Sequence, residues 1–299
     1  QDLYAGQDAP ELETDLLDAE AKAIAFHEAY QGKLASLNGL ELASAIEAYE
    51  VLLDITSRVM SFAQLLHATH SMDQSIGQFF QTIQERVNAI TSQVLFFALE
   101  LNVLDDEVIE AQLAVPEAAR YASWVFNSRV MRPHQLTESE EKLLHDKEVV
   151  GRSAWVRLFD ETLAHLRFEL DGREEPLTKV LDQLTDNDAV KRKVAGHALA
   201  HTLRENEGIF SMITNTLAKD KEIDDRWRKF ESPAHPRHLA NRVETHVVEA
   251  LVNAVRDSYS DLAHRYYGMK ATWMGVEKLE WWDRNAPVSQ DINRQFTWN

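Results

Sequence analysis

The chain has 299 residues and a mass of 34.2 kDa, and 44% of its residues are hydrophobic, enough for a sizeable core in one large domain or two to three smaller ones. Its 49 acidic against 31 basic residues give a formal charge of −18 and a pI near 5.1. That charge argues against nucleic acid and anionic membrane surfaces as partners. Only 10 Gly and 7 Pro are present, about half the usual share, which disfavours a turn-rich β protein. The absence of Cys excludes disulfides, thiolate metal sites and cysteine nucleophiles and fits a reducing compartment.

The expected fold is all-α: a long antiparallel helical hairpin plus a helical bundle, with one small β-hairpin near residues 165–178. Leu42, Ile46, Tyr49, Leu53, Met60 and Ala63 mark the first arm of the long hairpin. Ile76, Phe80, Ile83, Val87, Ile90, Val94, Phe97 and Leu101 mark the second, recurring every three or four residues on one stripe. Ser71-Met72-Asp73 breaks them, with Asp73 or Ser75 available as an N-cap. Pro116 predicts a helix start over Glu117–Val130. Thr137 and Glu140 have capping-box spacing, and the helix they open is expected to run to about Ala164. Next, Arg167-Phe168-Glu169-Leu170 alternates before Asp171-Gly172, a tight-turn dipeptide, with Pro176 limiting the second strand. Leu199, Leu203, Phe210, Ile213 and Leu217 mark a further helix, and Val243, Val247, Leu251, Val255 and Leu262 a long one after Pro236. The softest boundaries are residues 102–116 and 182–188. No run approaches 18 consecutive apolar residues. The chain opens at Gln1 rather than Met, so its first residues carry no information about a targeting segment.

Candidate chemistry is sparse. A zinc-peptidase helix needs His-Glu-x-x-His, which places both imidazoles on one face with the glutamate beside the metal-bound water. His27-Glu28 begins such a run, but Gln31 stands where the second histidine belongs. His197 and His201 are four apart on a helix and could supply two metal ligands. No acid lies between them and no third ligand is identifiable, so structural histidines on a helix covered on two sides are the favoured reading. His67, His70 and Met72, and the pair His235 and His238, are weaker still as ligand sets. Glu140-Glu141, Glu174-Glu175 and Asp224-Asp225 read as solvated faces among 49 carboxylates. No nucleophile elbow, phosphate loop or dinucleotide fingerprint is present. The residues themselves therefore assign no catalytic and no metal-binding position. Trp273, Trp281, Trp282 and Trp298 crowd the last stretch and call for cover.

Several stretches resemble the oligoendopeptidase F branch of the thimet-oligopeptidase-like zinc peptidases. They are Asp2-Leu3-Tyr4-Ala5-Gly6, then Arg157-Leu158-Phe159-Asp160 with Leu166-Arg167-Phe168, then Val190-Lys191-Arg192 and Asn215 to Lys221. The most specific are His264-Arg265-Tyr266-Tyr267-Gly268-Met269-Lys270-Ala271 followed by Trp282-Asp283-Arg284-Asn285-Ala286-Pro287. The resemblance covers nearly the whole chain in order, and the family's zinc helix and its substrate-orienting His and Tyr lie beyond the last match. It implies an amino-terminal half whose helices wall a channel for short unstructured peptides. Residues 1–112 form the helical-hairpin domain, 113–185 a second domain with the small hairpin, and 186–299 the start of the peptidase domain. It further implies a cytoplasmic protein, zinc only in the complete enzyme, and a carboxy-terminal catalytic half as partner, with this stretch inactive alone. The alternative is a freestanding acidic helical module that binds a protein, or a metal through His197 and His201. The first reading expects exposed apolar surface near Trp281 and Trp282.

Overall fold

A computed structural model describes residues 3–288. Gln1, Asp2 and residues 289–299, with Trp298 and Asn299 among them, lie outside the described residues. Helices dominate, and the strands are confined to one two-stranded hairpin. Packing divides the chain into two compact units, residues up to Arg157 with Lys219–Leu239, and Leu158–Ala218 with residues from Ala240 on. The division falls inside three helices, Arg152–His165, Glu207–Trp227 and His235–Ala240.

The first unit begins with α1 (Pro10–Tyr30), started by a proline where a missing N–H costs nothing. α2 (Gly39–Thr69) opens with a complete capping box: the Asn38 side chain accepts from the Glu41 N–H, and Glu41 accepts from the Asn38 N–H. Asp73 caps α3 (Gln74–Val103) by accepting from the Ser75 and Ile76 N–H groups, as the sequence predicts. α1 packs on both arms of this long hairpin. It buries Leu12, Leu16, Ala19, Ala23 and Phe26 at steps of four and three; the two alanines weaken its apolar signal, which is why the sequence does not announce it. Phe26 sits at the centre, its ring centroid 5.1 Å from Phe97 and 5.9 Å from Tyr49.

Four of the expected helices are broken. The segment after Pro116 is α5 (Pro116–Ala119) and α6 (Ala122–Arg129), following α4 (Asp106–Leu113). The helix capped by Thr137, with its capping box formed, ends as α7 (Glu138–Lys147), and α8 (Arg152–His165) starts afresh beyond Gly151, a poor helix former. Apolar residues recur at helical spacing across each break, which hides it from a one-dimensional reading.

In the second unit β1 (Phe168–Leu170) pairs antiparallel with β2 (Arg173–Glu175), inside the predicted span. Asp171 and Gly172 both take positive φ, 52° and 76°, the backbone that a two-residue hairpin turn of this twist requires. α9 (Leu177–Gln183) and α10 (Ala189–Glu205) cover the hairpin, with Phe168, Leu170, Val180 and Ala195 as the local core. The apolar run through Leu217 breaks at Asn206, where α10 gives way to α11 (Glu207–Trp227). Beyond the short α12 (His235–Ala240), the long helix after Pro236 resolves into three parts. These are α13 (Thr245–Asp257), a π-helical turn at Ser260–His264 and α14 (Arg265–Trp273).

Coverage is uneven. α11 buries Ile213 alone, and α13 buries none of its 13 residues although Val247, Leu251 and Val255 form a regular apolar stripe. Leu251 is 65% exposed. No single helix among the described residues is long and apolar enough to cross a membrane; Gln74–Val103 and Asp106–Leu113 reach that length together only across a 104° bend.

The two kinds of stabilisation in the first unit separate by magnitude. Phe97→Ala, at a fully buried ring, is expected to cost about 3–5 kcal/mol. Asn38→Ala, which removes one cap, is expected to cost about 1 kcal/mol. Urea titration of the two variants against wild type checks both values; equal midpoints would show that the aromatic cluster does not hold the bundle.

Candidate functional site

The side chains singled out by the sequence do not converge. His27 packs edge-on against Phe96 at 5.4 Å. His67 stacks on Phe80 at 4.8 Å, and the His70 Nδ1 lies 3.2 Å from the Leu66 carbonyl near the C-terminal end of α2. On α10, His197 is exposed and meets Trp282 edge-on at 5.2 Å, and His201 is exposed with its Nε2 3.5 Å from the Glu205 carboxylate. Val190, on the same face, is 70% exposed, so this side of α10 faces solvent rather than the second layer that the apolar spacing suggests.

Zinc requires three or four donors around a point. His197, His201 and Glu205 follow one another at single turns of α10 and spread along its axis instead. No group of three or more His, Cys, Asp or Glu able to hold a metal occurs among the described residues. The donor set present does not fit a zinc centre, and no reaction step follows from it. A mixed-charge cleft of about 730 Å³ opens beside this face, lined by Arg167, Glu169, Lys193, His197, His201 and Glu205 among others; its one acid–base contact described is the exposed His201–Glu205 pair on a single helix face.

The most ordered polar assembly of the second unit lies at the tryptophan segment. Arg192, 1% exposed, donates through Nε and Nη2 to the Asp283 Oδ1 at 3.1 and 2.8 Å. Its Nη1 donates to the carbonyl oxygens of Asp186 and Asn187 at 2.8 and 2.9 Å. The Asp283 Oδ2 accepts from the Glu280 N–H at 3.2 Å. Lys270, 2% exposed, donates to the Arg284 carbonyl oxygen at 2.8 Å. Burial pulls the Lys270 ammonium below its ordinary value of 10.5, the Arg192 guanidinium adds to the effect, and Asp283 opposes it. Two cations and one carboxylate thus seat residues 280–286 on α10 and α14.

Gly196 lets the seat close. A Cβ there would stand 3.1 Å from atoms of both Trp281 and Trp282. Trp282 is partly covered as a result, while Trp281 is 51% exposed, so the expected apolar exposure is found at one of the two rings. Asp283 and Lys270 lie within stretches that carry the family resemblance, but their meeting with Arg192, 91 residues from Asp283, has no local sequence signal.

A family model described as Oligopeptidase F matches residues 100–168. The chain resembles the amino-terminal portion of oligoendopeptidase F. Group B oligopeptidase PepB of Streptococcus agalactiae serotype III (strain NEM316) is 22% identical over 267 residues, 86% of this chain and 44% of its own length. Oligopeptidase PepF of Bacillus subtilis (strain 168) is 22% identical over 282 residues, 90% of this chain and 41% of its own length. The chain therefore spans well under half of the curated relatives it matches. The crystal structure of oligoendopeptidase-F from Enterococcus faecium shares the fold, with a TM-score of 0.82 at 20% identity over 93% of this chain and 56% of that one.

The charges of the seat are expected to respond unequally. Asp283→Asn leaves Arg192 buried without its counter-ion and should cost about 3–5 kcal/mol. Lys270→Met removes a cation that has no carboxylate of its own and should cost only about 1 kcal/mol, the net worth of one hydrogen bond. Denaturant unfolding followed by tryptophan fluorescence distinguishes the two; a larger loss at Lys270 would refute this ranking of the charges.

Proposed function

We propose that this chain is the amino-terminal, channel-wall portion of a zinc-dependent oligoendopeptidase that hydrolyses short peptides, and that it is inactive by itself. The observation that carries the reading is α13. A helix with so regular an apolar stripe and no buried residue presents a surface shaped for cover, in a chain spanning 41–44% of the relatives it matches. The cover, in this reading, is the carboxy-terminal catalytic half. Zinc, the activated water and the attack on the peptide bond belong, in this reading, to that half.

Three stretches share the work. Residues 1–112 supply the helical hairpin and 113–185 a second domain with the β-hairpin, while 186–299 begin the peptidase domain and carry the seated tryptophan segment. Access between the two halves is limited to short unstructured peptides. In this reading the protein works in the cytoplasm, and its charge of −18 disfavours nucleic acid and anionic membranes as partners.

The purified chain is expected not to cleave an internally quenched peptide; turnover abolished by a chelator would overturn the assignment of the chemistry to the other half. It is also expected to bind a hydrophobic dye. Leu251→Glu should reduce that binding while changing stability by no more than about 0.5 kcal/mol, as at other exposed positions. Undiminished dye binding would remove α13 as the surface awaiting cover.

A further inference from the structure

Where the chain returns to the first unit, residues 228–238 are held by an ion pair and by a cluster of three rings. Arg228 sends Nη1 and Nη2 to the two carboxylate oxygens of Glu141 at 2.6 and 2.9 Å, and its Nε to Asp224 at 2.8 Å. Burial raises the Glu141 carboxyl, but the guanidinium and the Leu136 N–H outweigh it and hold the group below its ordinary 4.5. Because a depressed carboxylate loses its contribution only as pH falls through that lower value, this pair stays intact at and above the ordinary carboxylate range.

The ring cluster follows a different rule. His134 stacks on Phe230 with centroids 4.3 Å apart, and His235 meets both edge-on, at 5.3 and 5.9 Å. The His134 Nδ1 lies 2.8 Å from the Arg228 carbonyl oxygen. A carbonyl only accepts, so this nitrogen carries the proton. The His235 Nδ1 receives the backbone N–H of Glu231 at 3.3 Å, so this nitrogen is bare and the ring neutral.

The two histidines therefore respond oppositely to acid. A second proton on His134 goes to Nε2 and leaves its bond to Arg228 in place. On His235 it goes to the accepting nitrogen itself and turns an acceptor toward another donor. The charged groups described around the pair meet it elsewhere than at the His235 Nδ1. Arg228 approaches through its Nη1, 3.4 Å from the His134 carbonyl oxygen, with its charge matched by Glu141 and Asp224, and Glu231 meets His235 through its backbone. Arg237 and His238 follow on α12.

We propose that His235 is a pH-sensitive clasp of the first unit: neutral, it closes residues 228–238 through the Glu231 N–H, and protonated, it releases them. The change is set by a proton at the accepting nitrogen itself, and the Arg228–Glu141 pair does not involve His235, so the opening is local while that pair persists.

Hydrogen exchange read by mass spectrometry on the 299-residue chain, at about pH 7.5 and about pH 5.5 and corrected for intrinsic rates, tests this. Protection of residues 230–235 is expected to fall about two- to tenfold on acidification, the worth of one hydrogen bond. It should stay level in His235→Asn, whose side-chain oxygen accepts the same N–H without titrating, and should still fall in His134→Gln. Level protection in wild type, or an undiminished fall in His235→Asn, would overturn the proposal. If His235→Asn is unprotected at both pH values, NMR of the wild-type imidazole decides. A bare Nδ1 at neutral pH supports the clasp, and a protonated Nδ1 refutes it.

Discussion

An amphipathic helix persists in water when its apolar stripe is taken out of it, and the helices of this chain differ chiefly in how far that condition is met. α1, α2 and α3 meet it through one another, closing around Phe26 and Phe97. α10 meets it on one side through the β-hairpin and α9. α13 does not meet it with any of its own residues. Isolated helices of such length are marginal because the first turn is costly and side-chain packing supplies most of the stability. In the proposed reading, the uncovered stripe and the fractional span of the relatives belong to one physical argument, with the missing cover supplied by the rest of the enzyme.

Legibility in the sequence follows the same condition. The hairpin of α2 and α3 was readable because large apolar side chains recur on one face and because Asp73 sits where an N-cap is needed. The β-hairpin was readable from Asp171-Gly172, since few dipeptides accept two positive φ angles. α1 was not readable, because Ala19 and Ala23 do their packing by being small. The breaks at Asn206 and near Gly151 escaped detection for the opposite reason: the apolar spacing runs through them. The π-helical turn at Ser260–His264 shifts register within a single apolar run, which a fixed period of 3.6 residues does not register.

The candidate site was legible only as fragments. His197 and His201 have metal-ligand spacing, but spacing along one helix gives at most two donors at a point, and the third must come from elsewhere in the fold. The charged seat shows the converse. Arg192 lay in one fragment of the family resemblance and Asp283 and Lys270 in others, and nothing local joins them. Burying three charged groups is unfavourable unless each finds a partner. Here the partners include the Asp186, Asn187 and Arg284 carbonyl oxygens, which are backbone atoms invisible to residue-type reasoning.

The seat and α13 are both parts of the second unit, and the seat accounts for how Trp281 and Trp282 are held. Trp282 is held by ordinary means: a glycine at 196 gives it room, and the Arg192–Asp283 pair fixes the backbone on either side. Trp281, anchored by the same turn, stays half exposed. A large ring on a segment pinned by buried ions is pre-ordered, so covering it costs little further conformational entropy. The same holds for the side chains of α13 insofar as the helix is already formed. In the proposed reading, a surface ordered in this way meets its cover with less loss than a mobile one.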